Sequence, residues 1–345
     1  MTDTALTKRR WRRWWPWIGG VIGITALFWV FGRIDYQRFL AVLAEASPGF
    51  VLLVPVAIAA EQLLRAWKWR QLLSPLRTIG VLRLFGAIMG GYFANLVIPV
   101  GASPIVRSWL VARSQGLATS AVLATVAIDR VIDGIVFTAF VPIVLLLFVI
   151  PDPSGAIRAG LSWGAGGSLL LFIVLLLALA GYRLQATHDT GWLGRCVRRL
   201  PPRLVDPARR LIHSFAEGIV WPREPWRRAG ILSASVLIKL IAATHFLWAG
   251  LALGVLLAPV EYLFLLVFFG FLSIITHFAR LTAGFTVGAV FALELLGVSQ
   301  ERALAMVLIV QFANLLTVTV TGGPALWRRG VSLRELRAVE EHDAC

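Results

Sequence analysis

The chain has 345 residues, of which 58% are hydrophobic and only 15% charged, against about 25% charged in an ordinary soluble domain. Its mean hydropathy of +0.80 excludes a soluble enzyme, because there is too little polar surface to cover a core and charge-free runs such as 161–181 and 134–150 approach or reach membrane-spanning length. The formal net charge of +15 does not point to nucleic acid, since the basic residues gather in short segments between apolar runs and no recognition module accompanies them.

In chain order, Lys8-Arg9-Arg10 and Arg12-Arg13 precede an apolar run over 14–31. That run is long enough to span, opens on a Trp cluster suited to an interface and lacks a small-residue cleavage exit, so it reads as an uncleaved first helix. Predicted spans are 15–32, 48–64, 84–100, 118–150, 160–182, 230–257, 260–279, 281–297 and 302–323. The basic segments place both termini and the loop 183–229 in the cytoplasm, together with Arg65, Lys68, Arg70, Arg77 and Arg83.

This orientation demands an odd number of crossings between Arg83 and the turn Pro151-Asp152-Pro153-Ser154-Gly155. The segment 84–117 is therefore expected to enter the membrane and turn back, broken at Asn95, Pro99, Gly101 and Pro104. Broken backbone at membrane depth survives only where protein or a wet cavity surrounds it, which makes the break a pointer to a site. The second half repeats the pattern with the opposite sense, and its break falls around His277, Arg280, Thr282, Gly284 and Gly288. The expected fold is an all-α polytopic membrane helix bundle with two re-entrant broken hairpins in an inverted-repeat arrangement. It forms one transmembrane domain over 1–345, with halves 1–158 and 159–345. Two unrelated kinked regions are the plainer alternative. Within the basic loop, 209–215 has the pattern of an amphipathic helix that can lie on anionic headgroups; an ordinary positive-inside loop is the plainer alternative and the one favoured.

Ionisable residues within spans ask for a partner or a task. The densest group is the run 127–134 (AIDRVIDG), in which Asp129 and Asp133 share a helical face and Arg130 can pair with Asp133. The group is either a self-neutralised structural cluster or a polar lining for a lipid headgroup. Arg107, just past the first break, can meet a phosphate or answer Asp129 or Asp133, and Arg280 at the second break has no acid nearby in sequence. Glu61 is expected at the interface, and Lys239 is expected to snorkel from near a helix end. The candidate headgroup-binding residues are thus Arg107, Asp129, Arg130, Asp133 and Arg280.

No catalytic constellation stands out. The five histidines are scattered singly without metal spacing, and there is no P-loop or dinucleotide fingerprint, so neither metal nor cofactor is expected and ATP-driven pumping is disfavoured. Cys196 and Cys345 fall in segments assigned to the cytoplasm, which argues against a disulfide.

The run 65–73 (RAWKWRQLL), the run 91–99 (GYFANLVIP), Arg107, Asp129-Arg130-Val131-Ile132-Asp133 and the late 296–299 (LGVS) together resemble the lysylphosphatidylglycerol synthase transmembrane-region family, also described as flippase-like. The resemblance covers nearly the whole chain in span order. It implies translocation of lipid in the inner membrane, with anionic phospholipid as the partner and lipid-synthesis enzymes as possible neighbours. The sequence carries no counterpart of the soluble aminoacyl-transferring domain of two-domain members, so lipid lysylation is not expected of it. Where the family commonly carries further charges after the first break, Gly101, Ser103 and Pro104 stand here, pointing to a divergent subgroup. Two other readings compete: a scaffold subunit that moves nothing, and an intramembrane lipid-modifying enzyme using Asp129 or Asp133 as base.

Overall fold

A computed structural model describes residue 32 and residues 34–97, 103–186, 202–278 and 282–330. The predicted first span up to residue 31, Pro99, Gly101, Arg280, Cys196 and Cys345 lie outside the described residues. Within them the chain is all-helical: α1 (Tyr36–Ala44), α2 (Pro48–Leu73), α3 (Val81–Val97), α4 (Ser103–Gln115), α5 (Thr119–Leu147), α6 (Ala156–Ala186), α7 (Pro202–Gly218), α8 (Pro225–Ala252), α9 (Pro259–Phe278), α10 (Thr282–Leu295) and α11 (Gln300–Trp327).

Among the described residues six helices are long and apolar enough to cross a membrane: Pro48–Leu73, Thr119–Leu147, Ala156–Gln185, Pro225–Ala252, Pro259–Thr276 and Gln300–Trp327. The most apolar stretch of α6 contains no buried residue, and Leu170, Leu171, Val174 and Leu177 lie more than half exposed on it. Such a surface is untenable in water and ordinary in hydrocarbon, where apolar side chains need no cover. The chain is a multi-pass membrane protein. Pro55 and Pro142 sit inside α2 and α5, positions that membrane helices tolerate because neighbouring groups satisfy the freed carbonyl.

Two boundaries differ from expectation in a way that matters. α2 does not stop at residue 64 but runs on through the basic run to Leu73. The reason is local: Glu61, Arg65 and Lys68 recur at helical spacing, and Glu61 and Arg65 form an i, i+4 ion pair of 2.8 Å. The basic loop, in turn, contains a helix, α7, which covers the predicted amphipathic stretch. α7 buries Ala216, sets Phe215 edge-on to Tyr182 of α6 and leaves Arg209 and Arg210 exposed.

The described residues fall into two compact units, each drawing on both halves of the sequence. Unit 1 comprises Met1–Ala57, Phe140–Gly164 and Ala242–Ala313; unit 2 comprises Ile58–Ala139, Ala165–Ile241 and Asn314–Cys345. Unit 1 is held by aromatic packing, with Phe246 and Phe269 centred 4.6 Å apart and Phe148 and Phe264 5.3 Å apart. Unit 2 is built on an apolar core that includes Trp69, Leu72, Leu84, Ile88, Leu110 and Val122. Each unit contains one pair of consecutive helices packed on each other across a short break: α9 and α10 in unit 1, α3 and α4 in unit 2.

Candidate functional site: a buried charge ladder beside the first helix break

The α3–α4 pair is a closed hairpin. At its base Arg77 donates to the backbone carbonyl of Gln115 at 3.2 Å; at its tip the Asn95 Oδ1 accepts from the backbone N–H of Ser103 at 2.8 Å. Asn95 thus caps the first turn of α4, satisfying a donor that a helix start leaves open. Pro104, the second residue of α4, suits that first turn because its missing N–H is not needed there. One turn down from the tip, Gly91 faces Ser103 and Arg107 so closely that a Cβ would lie 2.9 Å from the Ser103 carbonyl oxygen. Glycine at this point lets the two helices touch.

Arg107 projects from the hairpin towards α2 and α5. These two helices run antiparallel, joined by a ladder of polar contacts. Trp69 Nε1 donates to Thr125 Oγ1 at 3.0 Å. The Lys68 ammonium lies 2.7 Å from Asp129 Oδ1 and bonds Asp133 Oδ1. Arg65 Nη1 donates to Asp133 Oδ2 at 2.9 Å, and its Nη2 to Glu61 Oε1 at 2.8 Å. α8 closes the ladder through Ser235, whose hydroxyl is 3.3 Å from Lys68 Nζ. Every charged member is buried, Lys68, Arg107 and Asp129 completely.

The ladder corrects several expectations. Asp133 pairs with Arg65 and Lys68, whereas Arg130 is exposed. Glu61 is buried and paired, because α2 carries it into the ladder. Arg65 and Lys68 face inward from the part of α2 read as a cytoplasmic segment, while their neighbours Arg70, Arg77 and Arg83 are exposed. The signal in the sequence was the spacing of Glu61, Arg65 and Lys68 on one helical face; the abundance of nearby arginines concealed it.

Arg107 differs from the rest. Its guanidinium lies over the Trp69 ring, 5.2 Å from the centroid, and 3.9 Å from Asp129 Oδ2, the far limit of an ion pair. Among the described residues its Nε, Nη1 and Nη2 have no hydrogen-bond partner, and the buried Ser103 hydroxyl has none either. A buried guanidinium with its donors unmet is costly, since those donors have given up water for nothing. The remaining predicted site residues lie elsewhere: Gly284 and Gly288 are both within α10 of unit 1, and Gly288 closes on Leu272 of α9.

Charge buried this far along membrane helices is costly and asks for a partner or a task. A model of the lysylphosphatidylglycerol synthase TM region matches residues 17–322, and the chain belongs to that family. No curated protein and no solved structure matches it.

Proposed function

We propose that the chain assists the movement of an anionic or headgroup-modified lipid across or within the cell inner membrane, without ATP, and that the hairpin α3–α4 is re-entrant. The observation that carries the reading is Arg107, a completely buried guanidinium with open donors beside a helix break. A lipid phosphate fits its planar fork. Ser103 offers a hydroxyl on the same side of the hairpin. The acids of the ladder are engaged by Arg65 and Lys68, which favours a role in building the site over a role as catalytic bases.

Helix lengths support re-entrance. At about 1.5 Å per residue the 17-residue α3 and 13-residue α4 reach about 26 and 20 Å, less than a hydrocarbon core of about 30 Å. Arg107 lies level with Asp129, four residues from the middle of the 29-residue α5, which agrees with a hairpin that turns within the membrane. Charge supports the orientation. Among the described residues of unit 1 the basic ones are Arg38, Arg158 and Arg302, against Asp35, Glu45, Asp152, Glu261, Glu294 and Glu301. The exposed arginines Arg70, Arg77, Arg83, Arg113, Arg328 and their kind mark helix ends that belong to unit 2, and the positive-inside rule assigns those ends, the loop 183–229 and both termini to the cytoplasm.

The test is reconstitution into phosphatidylcholine vesicles carrying fluorescent phosphatidylglycerol, with leaflet exchange followed by quenching from outside. The wild-type chain is expected to equilibrate the probe, and Arg107→Gln to lower the rate by about tenfold or more, the loss of one charge-assisted contact. Wild-type vesicles that exchange no faster than empty ones would refute the reading.

A further inference from the structure

The ladder joins Glu61, Asp129 and Asp133 to Arg65, Lys68 and Arg107, and Lys239 lies beside it without an ion pair of its own. Lys239 is the fifteenth of the 28 residues of α8, so about 20 Å of helix separates it from either end. A lysine side chain cannot snorkel that far, contrary to the expectation from sequence. Among the described residues no acid lies in ion-pair range of its ammonium and no hydrogen bond reaches it; the Phe137 ring is 5.6 Å away at the centroid, and Asp133 of the ladder, already held by Arg65 and Lys68, acts on it from beyond contact distance.

Its placement follows from the ladder. α8 runs parallel to α5 here: Ser235 reaches Lys68 beside Asp133, and one turn further on Lys239 meets Phe137. Lys239 is half-buried, whereas Lys68 is completely enclosed, so an outside ligand can reach it. Leu232 and Val236 precede it on the same face of α8, exposed to 49% and 39%, and form an apolar stripe that ends at the ammonium. A cation with no ion-pair partner in contact, at the end of an apolar stripe deep in a membrane helix, suits an anion that brings its own hydrocarbon.

We propose that Lys239 is a second anion-binding position, which takes the phosphodiester of an anionic phospholipid while its acyl chains lie along Leu232 and Val236. The proposal rests on the lipid-handling reading and adds a place for the headgroup apart from Arg107. The shared chemistry is a phosphate anion, and the apolar stripe selects the lipid over free phosphate.

Native mass spectrometry of the full chain with phosphatidylglycerol tests it without relying on transport. The wild-type protein is expected to retain two such lipids over a phosphatidylcholine background, and Lys239→Met and Arg107→Gln each to lose one. Lys239→Arg, which keeps the charge, is expected to retain both. Methionine in place of a half-buried cation that has no ion-pair partner is expected to leave folding intact, so unchanged thermal stability should accompany the loss. Two lipids retained by Lys239→Met would overturn the proposal, as would loss of one by Lys239→Arg, since a cation at that position would then not be what holds the lipid. Displacement of the lipid by excess glycerol phosphate would overturn the lipid assignment. If the binding pattern holds while vesicles show no exchange, the transport reading falls and the Lys239 position stands.

Discussion

The two hairpins share a design and differ in chemistry. In each, two helices too close for ordinary side chains meet through a glycine: Gly91 against Ser103 and Arg107 in unit 2, Gly288 against Leu272 in unit 1. Opposite Gly91 stand a hydroxyl and a guanidinium, both buried and unmet. Opposite Gly288 stands a leucine, and further rings, Phe269 and Phe285 at 5.8 Å, continue the apolar packing. The same backbone device thus serves a polar site in one unit and hydrocarbon packing in the other. Function is to be sought where the closely packed helices enclose charge.

The largest expected effect breaks the ladder that distinguishes unit 2. Asp133→Asn removes the shared partner of Arg65 and Lys68 and leaves two buried cations underpaired, a loss of about 3–5 kcal/mol. Thermal unfolding in detergent should show it, and folded yield should fall with it. In unit 1, Leu272→Ala removes only half-buried hydrocarbon and should lower stability by about 1–2 kcal/mol.

The glycines sharpen the contrast. At Gly91 a methyl group would press on the backbone carbonyl of Ser103, so α3 and α4 must part, and Gly91→Ala should cost about 1–3 kcal/mol. At Gly288 the same methyl would meet the tip of the Leu272 side chain at 2.7 Å, which can rotate away. Gly288→Ala should therefore cost less than about 1 kcal/mol. Equal losses at the two positions would erase the distinction between backbone and side-chain contact.

The smallest effect lies at the turn before α6. Asp152 accepts from the Ser154 hydroxyl, from the Ser154 amide and from the Ile157 amide. The Ser154 hydroxyl bond, followed by the backbone bonds, lowers its pKa below the ordinary carboxylate value. Because the folded-state pKa is the depressed one, the cap is fully effective above the ordinary carboxylate range and fades as pH falls through the lowered value. Amide exchange at Ile157 should be pH-insensitive in protection at neutrality and lose protection only in acid; Asp152→Asn should remove that acid dependence.

How far the sequence disclosed this molecule follows from the length of each signal. Helices such as α5 and α8 are long apolar runs, legible from hydropathy alone. Asp129, Asp133 and Arg107 were legible as charges out of place. Arg107 was legible too as a counter-charge to Asp129, but Arg65 and Lys68 were not legible as partners of the two acids, because they sit in a run whose other arginines are exposed at a helix end, and positive-inside reasoning treats the whole run alike. Lys239 was misjudged for a related reason: the predicted span 230–257 put it in the first half, whereas α8 begins at Pro225 and centres on it. Which cation pairs with which acid depends on how α2, α5 and α8 pack, and that is long-range information.

The most direct test of the central claim, that Arg107 receives an anionic lipid headgroup, is photocrosslinking with phosphatidylglycerol bearing a diazirine in its headgroup. In the wild-type chain the label should concentrate on peptides containing Gly91, Ser103 and Arg107, and Arg107→Gln should remove it from those peptides while labelling of the exposed face of α6 persists. Identical labelling of the hairpin in wild type and Arg107→Gln would contradict the account.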